Sequence, residues 1–269
     1  MIAFPSCKIN LGLNILSKRT DGFHELETCF YPVPWNDILE IIPSATLEFS
    51  CSGNPIPGSM EDNLCLKAYH LIKVDYPIAP VKIHLHKIVP IGAGLGGGSA
   101  DAAFTLRLLN DIFQLQLPVS SLKKYAAKLG SDCSFFIEGI PQFGDGKGEI
   151  LTTAKIVLND IYIVLVKPAI HISTKEAYAG VVTKSPVSHI SEILRQPIQQ
   201  WKGLLVNDFE ESIFLKYPIV HQVKNLLYNN GALFASMSGS GSAVYGLFDK
   251  PVQLKNLFTG MDYWEGTLH

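Results

Sequence analysis

Five glycines fall within the seven residues from Gly92 to Gly98, inside the run PIGAGLGGGSADAA at 90–103. Glycine reaches the positive φ angles that turn successive amide N–H groups toward one point. Residues 81–89 before the run predict a strand that Pro90 stops, and the alanine-rich residues after it predict a helix from about 99 to 110. The N–H groups at that helix start, with roughly half a positive charge from its dipole, add to the same cradle. Small Ala100, Ala102 and Ala103 leave room for close approach. The chemistry this predicts is the gripping of a polyphosphate. Gly92, Gly94 and Gly97 match G-x-G-x-x-G. The dinucleotide fold also needs an acidic residue ending the next strand, about twenty residues on, and 114–118 supply neither strand nor acid. No Lys follows the glycines as a Walker loop requires, and the H-R-D and D-F-G motifs of protein kinases are absent. A flexible surface loop is the alternative reading.

Two polar side chains share a face with each other. Residues 7–16 alternate, with Ile9, Leu11, Leu13 and Ile15 on one side and Lys8, Asn10, Gly12 and Asn14 on the other. This predicts a strand with one buried face, which turns at Thr20-Asp21-Gly22 and returns over 23–31. Further strands are expected at 38–42 and 47–51, and helices at 63–74, capped by Asp62 or Asn63, and at 120–129, ended by Gly130. Gly144, Gly146 and Gly148 mark a tight turn. The apolar run 161–166 predicts a strand covered on both faces. A loop with a short helix is expected over 186–197, a helix over 219–227, and strands at 233–236 and 243–248 around a second glycine-serine loop. Strands and helices mix without strict alternation, so the fold class is α+β. A division into domains 1–155 and 156–269 is expected.

The 269 residues are 47% hydrophobic, ample for a core, and 22 basic against 24 acidic side chains leave no basic stripe for nucleic acid. The longest apolar run, 161–166, is too short to span a bilayer, and the start lacks a secretory signal, so no membrane partner is expected. Cys7, Cys29, Cys51, Cys65 and Cys133 are odd in number and contain no C-x-x-C pair. That predicts neither a disulfide framework nor a zinc site and points to a reduced, cytoplasmic compartment. His84 and His86 share one side of a predicted strand and could share a ligand; without a third ligand, a polar strand face is the default.

Three separated motifs occur in order: PSCKINLGL at 5–13, PIGAGLGGGSADAA at 90–103 and SMSGSGSAVYGLF at 236–248. Together they resemble the GHMP small-molecule kinases, named for galactose, homoserine, mevalonate and phosphomevalonate. Finer features are Asp21-Gly22-Phe23-His24, Gly130-Ser131-Asp132, the run 146–151, and Asn207-Asp208-Phe209-Glu210. They resemble the branch whose acceptor is a cytidine-diphosphate sugar alcohol of the non-mevalonate isoprenoid route. The resemblance implies a two-domain GHMP kinase fold: an N-terminal ATP-binding α/β sandwich, a C-terminal ferredoxin-like α+β domain and a deep cleft between them. It implies ATP and Mg2+ as cofactors and a 2-hydroxyl as acceptor; oligomeric state is not indicated. A mevalonate- or homoserine-type kinase and a non-catalytic ligand sensor are the alternatives. Phe23, His24 and Tyr178 favour the cytidine substrate, and retained Lys8 and Asp132 argue against the sensor.

By this resemblance Asp132 lies near the acceptor hydroxyl and takes its proton or orients it; the alternative is a cap after Gly130. Lys8 neutralises charge on the transferring phosphoryl, and Asn10 orients substrate. Pro90, Gly92, Gly94, Leu95, Gly96, Gly97, Gly98 and Ser99 surround the phosphates, with Ser99 also a ligand for Mg2+ or a helix cap. Asn63 and Lys87 match positions near the adenosine. Phe23 and Tyr178 sandwich the cytosine, His24 reads its edge, and Thr174 touches substrate. Gly239, Ser240 and Gly241 buttress the phosphate loop, or form an ordinary hairpin turn. Departures from the family are Cys7 for the usual Ala, Cys133-Ser134 for an apolar residue and Pro, and Phe23 for a tyrosine.

Overall fold

Residues 1–181, 183 and 188–268 are described by the structure, a computed structural model. The strands are β1 (Ile2–Ala3), β2 (Ser6–Lys18), β3 (His24–Asn36), β4 (Ile38–Pro43), β5 (Glu48–Gly53), β6 (Val81–Lys87), β7 (Gln142–Asp145), β8 (Ile150–Thr153), β9 (Tyr162–Lys167), β10 (Phe234–Met237), β11 (Val244–Phe248) and β12 (Asp262–Thr267). The helices are α1 (Leu64–Asp75), α2 (Gly97–Ile112), α3 (Val119–Leu129), α4 (Phe135–Glu138), α5 (Thr174–Ala179), α6 (Ile190–Ile193), α7 (Phe209–Lys216) and α8 (Pro218–Asn229). The mix is α+β, as the sequence predicts. The chain packs as two compact units: 1–7, 35–91 and 96–140 form one, and 8–34, 92–95 and 141 onward the other. These units interleave along the chain, so they are a different partition from a single cut after residue 155. No described helix is long and apolar enough to cross a membrane.

In the first unit a four-stranded sheet has the order β1-β4-β6-β5, with β4 antiparallel to β1 and β6, and β5 parallel to β6. Alternation in β6 buries Val81, Ile83, Leu85 and Lys87 and turns Lys82, His84 and His86 outward. On that outer face His84 hydrogen-bonds Ser50 at 2.8 Å and Ser52 at 3.0 Å, and His86 bonds Ser52 at 2.9 Å. A polar strand surface therefore accounts for both histidines. Helix α2 packs on β4, α1, α3 and α4, burying Ala100, Ala103, Leu106 and Leu109. It starts two residues earlier than residue 99, within the glycines. Its packing outweighs the deficit of about 1 kcal/mol that each helical glycine carries. Asn63 caps α1, its Oδ1 accepting from the Cys65 N–H at 2.9 Å.

The second unit holds two sheets, β2-β3-β7-β8 and β10-β11-β9-β12. In the latter β9 lies between β11 and β12, antiparallel to both, and Ile163 to Val166 are buried as the apolar run predicts. Its core gathers Leu13, Ile15, Val164, Val166, Phe209, Val220, Val223 and Leu227. The expected single buried face of β2 is corrected: every residue from Lys8 to Ile15 is buried, polar Lys8, Asn10 and Asn14 included. Their partners lie within the unit, so polarity here marks an internal network instead of a solvent face. Short α7 and late β12 were not predicted; α7 opens inside the Asn207–Glu210 motif, and β12 lacks clean alternation. The first residues of the expected loop 186–197 lie outside the described residues, and its helix is α6.

Candidate active site

Strand β2 carries Lys8 into the second unit at 3% exposure. Its ammonium donates to Asn10 Oδ1 at 2.6 Å and to the Gly94 carbonyl at 2.9 Å, and sits 5.3 Å from the Phe30 ring centre. The Lys8 N–H donates to the Leu95 carbonyl at 2.9 Å. Strand and glycine segment are thus joined through both main chain and side chain. Asn10 in turn donates to Thr28 Oγ1 at 2.9 Å, and the Thr28 hydroxyl donates to the Gly12 carbonyl at 2.6 Å. Buried polar groups need such closure, because an unmet one costs about 1–3 kcal/mol.

Gly94 cannot be replaced in this arrangement. Its φ is +77°, and an added Cβ would lie 2.0 Å from the Ser238 carbonyl oxygen. Ser238 sits just after β10; its hydroxyl donates to the Gly94 carbonyl at 2.9 Å and accepts from the Asn10 N–H at 3.3 Å. Ala243 N–H donates to the Ala93 carbonyl at 3.0 Å. The loop between β10 and β11 thus meets the segment 92–95 through Ser238 and Ala243, which flank the expected Gly239, Ser240 and Gly241. Thr174 opens α5, with its hydroxyl oxygen 3.5 Å from that of Ser240.

The aromatic residues divide. His24 stacks on Tyr178 with ring centres 4.8 Å apart, and Tyr178 meets Phe209 edge-on at 4.9 Å. Phe23 is 57% exposed, with the Lys147 ammonium 4.5 Å from its ring centre. The structure brings His24 and Tyr178 together and places Phe23 against Lys147.

In the first unit, Gly96 takes φ +70° at the start of α2, and the first helical bond runs from the Ala100 N–H to the Gly96 carbonyl at 2.9 Å. The amides of Gly97, Gly98 and Ser99 thus belong to the helix turn that has no intrahelical acceptors. Beneath them lies an ion cluster. Lys87 Nζ donates to Asp101 Oδ2 at 2.8 Å and to Asp37 Oδ2. Asp37 Oδ1 accepts from the Ile88 N–H at 2.6 Å and the Val89 N–H at 2.8 Å. All three side chains are at most 4% exposed. A Cβ on Gly97 would lie 2.9 Å from Lys87 Nζ, so the cluster abuts the helix start. Lys87 was expected near the adenosine; its ammonium is held from within by two carboxylates.

One lysine faces two carboxylates, and the electrostatics follow. Burial and the neighbouring Asp37 carboxylate push Asp101 up to about 7 against the pull of Lys87. Burial lowers the Lys87 value, but the two carboxylates overcome it and raise the net. Asp101 Oδ1 has no hydrogen-bond partner among the described residues, which fits a carboxyl that keeps its proton. The unfolded carboxyl releases that proton near 3.8, whereas the folded one holds it to about 7. Between these values the folded state binds more protons, so stability falls as pH rises, by at most about 1.4 kcal/mol per pH unit. Urea unfolding from pH 5 to 8 should therefore show a smaller loss for Asp101→Asn than for the parent; parallel curves would reject this account.

Asp132 lies half-buried in the 3-10 turn Ser131–Ser134, which packs on α2, α3 and α4. Gly130 holds the cap position of this turn, one residue before Ser131. Cys133 beside it is buried near Ser99, and burial pushes its thiol up to about 11. Ser134 donates to the Lys123 carbonyl at 3.1 Å, so the departures at 133 and 134 keep an ordered turn. Asp37, Asp101, Thr28, Ser238 and Asn207 escaped the sequence analysis as site residues. One signal was available: period two puts Lys87 among the apolar residues of β6, where a lysine requires counter-charges.

Residues 63–139 match GHMP kinases N terminal domain, and residues 190–263 match GHMP kinases C terminal. The chain belongs to the GHMP kinase family. A relative from Cytophaga hutchinsonii is 54% identical over 250 residues, 93% of each chain, and one from Parabacteroides distasonis is 48% identical over the whole of both. Both are called 4-diphosphocytidyl-2-C-methyl-D-erythritol kinase. A crystal structure of 4-(cytidine 5'-diphospho)-2C-methyl-D-erythritol kinase superposes with a TM-score of 0.86 at 30% identity, covering 99% of this chain and 98% of that one.

Proposed function

We propose that this chain is an ATP-dependent kinase that phosphorylates the 2-hydroxyl of 4-diphosphocytidyl-2-C-methyl-D-erythritol, in the non-mevalonate route to isoprenoid precursors. The observation that carries the chemistry is the buried Lys8 ammonium on the Gly94 carbonyl, which ties a cation to the glycine segment. The relatives at 54% and 48% identity support the choice of acceptor.

In this reading the amides of Gly96, Gly97, Gly98 and Ser99 hold ATP phosphates, with Pro90, Gly92, Gly94 and Leu95 shaping the loop and Asn63 near the adenosine. Lys8 offsets charge building on the transferring phosphoryl, Asn10 orients the acceptor, and Asp132 accepts or directs the hydroxyl proton. The Ser99 hydroxyl at the helix start is an oxygen donor of the kind that would hold Mg2+, which when bound would supply positive charge to the ATP phosphates. Tyr178 and His24 take the cytosine, with Phe23 on its other side and Thr174 near the substrate. The compartment is the cytoplasm; residues 1–155 carry the nucleotide-binding segments together with Lys8, Asn10, Phe23, His24 and Asp132, and residues 156–269 add Thr174 and Tyr178 for the substrate.

ADP release should appear with the cytidine-diphosphate sugar alcohol and not with mevalonate or homoserine; equal turnover on mevalonate would reject the assignment. Tyr178→Ala should raise KM for the cytidine substrate about 10- to 100-fold, since stacking on an aromatic is worth about 1–3 kcal/mol per base, while KM for ATP stays near the parent value.

A further inference from the structure

In the motif Asn207-Asp208-Phe209-Glu210 the side chains of Asn207, Asp208 and Glu210 have no part in the roles above, yet all three are spent on main-chain groups, while Phe209 packs against Tyr178. Asn207 is 3% exposed and donates both of its amide hydrogens, one to the Met237 carbonyl at 2.8 Å and one to the Gly239 carbonyl at 2.9 Å. Its Oδ1 accepts from the Phe209 N–H at 3.0 Å, which fixes which end of the amide is the donor. The two carbonyls flank Ser238. Glu210, 9% exposed, accepts from the Met237 N–H at 2.8 Å and the Ser236 hydroxyl at 3.1 Å through one oxygen, and pairs with Lys224 at 2.6 Å through the other. On the opposite side the same segment holds β2. Leu13 N–H donates to the Val206 carbonyl at 2.8 Å, Asp208 N–H to the Leu13 carbonyl at 2.9 Å, and Ile15 N–H to Asp208 Oδ2 at 2.6 Å.

Strand β2 carries Lys8 and Asn10. Ser238 ties the Asn10 N–H to the Gly94 carbonyl, and that carbonyl is also the acceptor for Lys8 Nζ. We infer that Asn207 is a positioning residue for phosphoryl transfer: by bracketing Ser238 it sets where the Gly94 carbonyl and Lys8 ammonium stand. Asp208 and Glu210 hold the two flanks of the same clamp. A cation stabilises a developing charge only where it is fixed beforehand, so a displaced ammonium lowers kcat more than it weakens binding. The inference rests on the reading of Lys8 as the cation for the transferring phosphoryl.

The test compares Asn207→Ala, Ser238→Ala, their double variant and Lys8→Ala, by kcat and KM for ATP with the cytidine-diphosphate sugar alcohol. Asn207→Ala and Ser238→Ala should each lower kcat about tenfold or more with KM for ATP within about threefold of the parent. Because one acts through the other, the double variant should fall within about threefold of the worse single. Losses that multiply, or a kcat within twofold of the parent in either single variant, would overturn the inference. If Asn207→Ala does not fold, Ser238→Ala decides alone. A tenfold loss with an unchanged melting temperature supports the relay, and full kcat overturns it. Lys8→Ala separates the two levels: full turnover there defeats the reading of Lys8 itself, whereas a large loss there beside intact Asn207→Ala and Ser238→Ala defeats only the positioning role.

Discussion

Asp132→Asn should lower kcat by about 10²- to 10⁴-fold while ATP still binds. The substitution keeps the size of the side chain and removes its charge. Its surroundings are anchored independently: Cys133 is buried and Ser134 is bonded to the Lys123 carbonyl. The Ser131–Ser134 turn should therefore keep its shape, and the loss should be chemical. Titration with labelled nucleotide measures ATP affinity, and single-turnover rates measure the transfer step. Retained binding with slow transfer is the expected pair of results. Unchanged turnover would remove Asp132 from the mechanism. A similar affinity loss for ATP and a normal transfer rate would assign it to binding instead.

Lys87→Met should destabilise the fold by about 3–5 kcal/mol near pH 8, because it strands the Asp37 and Asp101 carboxylates without their cation. Removal of one partner from a buried pair is costlier than the pair itself is worth, and here two charges are left behind. The pH dependence separates this from lost packing. Lys87 pulls the Asp101 carboxyl down, so without it Asp101 holds its proton to higher pH than in the parent, and the defect should shrink when urea unfolding is repeated at pH 5. The double change Lys87→Met with Asp101→Asn should recover part of the loss at pH 8, since one stranded charge is gone. A defect equal at both pH values would show that packing dominates. Because Gly97 sits against Lys87 Nζ, KM for ATP should also rise in whatever fraction remains folded.

Local pattern made much of the architecture readable. Alternation located β2, strands were also expected where β4 and β6 lie, and the glycines between a strand and an alanine-rich helix located the start of α2 to within two residues. Lys8 and Asn10 were readable as neighbours on one strand face, because residues two apart on a strand must share it. The family, and with it the class of chemistry, followed from the resemblance that three separated motifs carry. Short α7 carried too few turns for a helical period to show, and β12 lacked regular alternation, so neither was legible.

The sequence by itself determined where a glycine segment would run into a helix start, which strand would present a lysine and an amide together, and, through three motifs, which kinase family the chain resembles. The first two depend on residues close in the chain, whose periods of 2 and 3.6 are set by backbone geometry; the third rests on a resemblance carried by three separated motifs. Only the tertiary structure decided that β2 is covered on both faces, that Lys87 answers to Asp37 and Asp101, 50 and 14 residues away, and that Ser238 closes on Gly94 across 144 residues. Such partners are chosen by chain topology, which brings distant segments within hydrogen-bond reach and leaves no periodic trace in either of them. Burial then makes the choice binding, because a charge or amide removed from water must find its partner in whatever segment the fold has placed beside it.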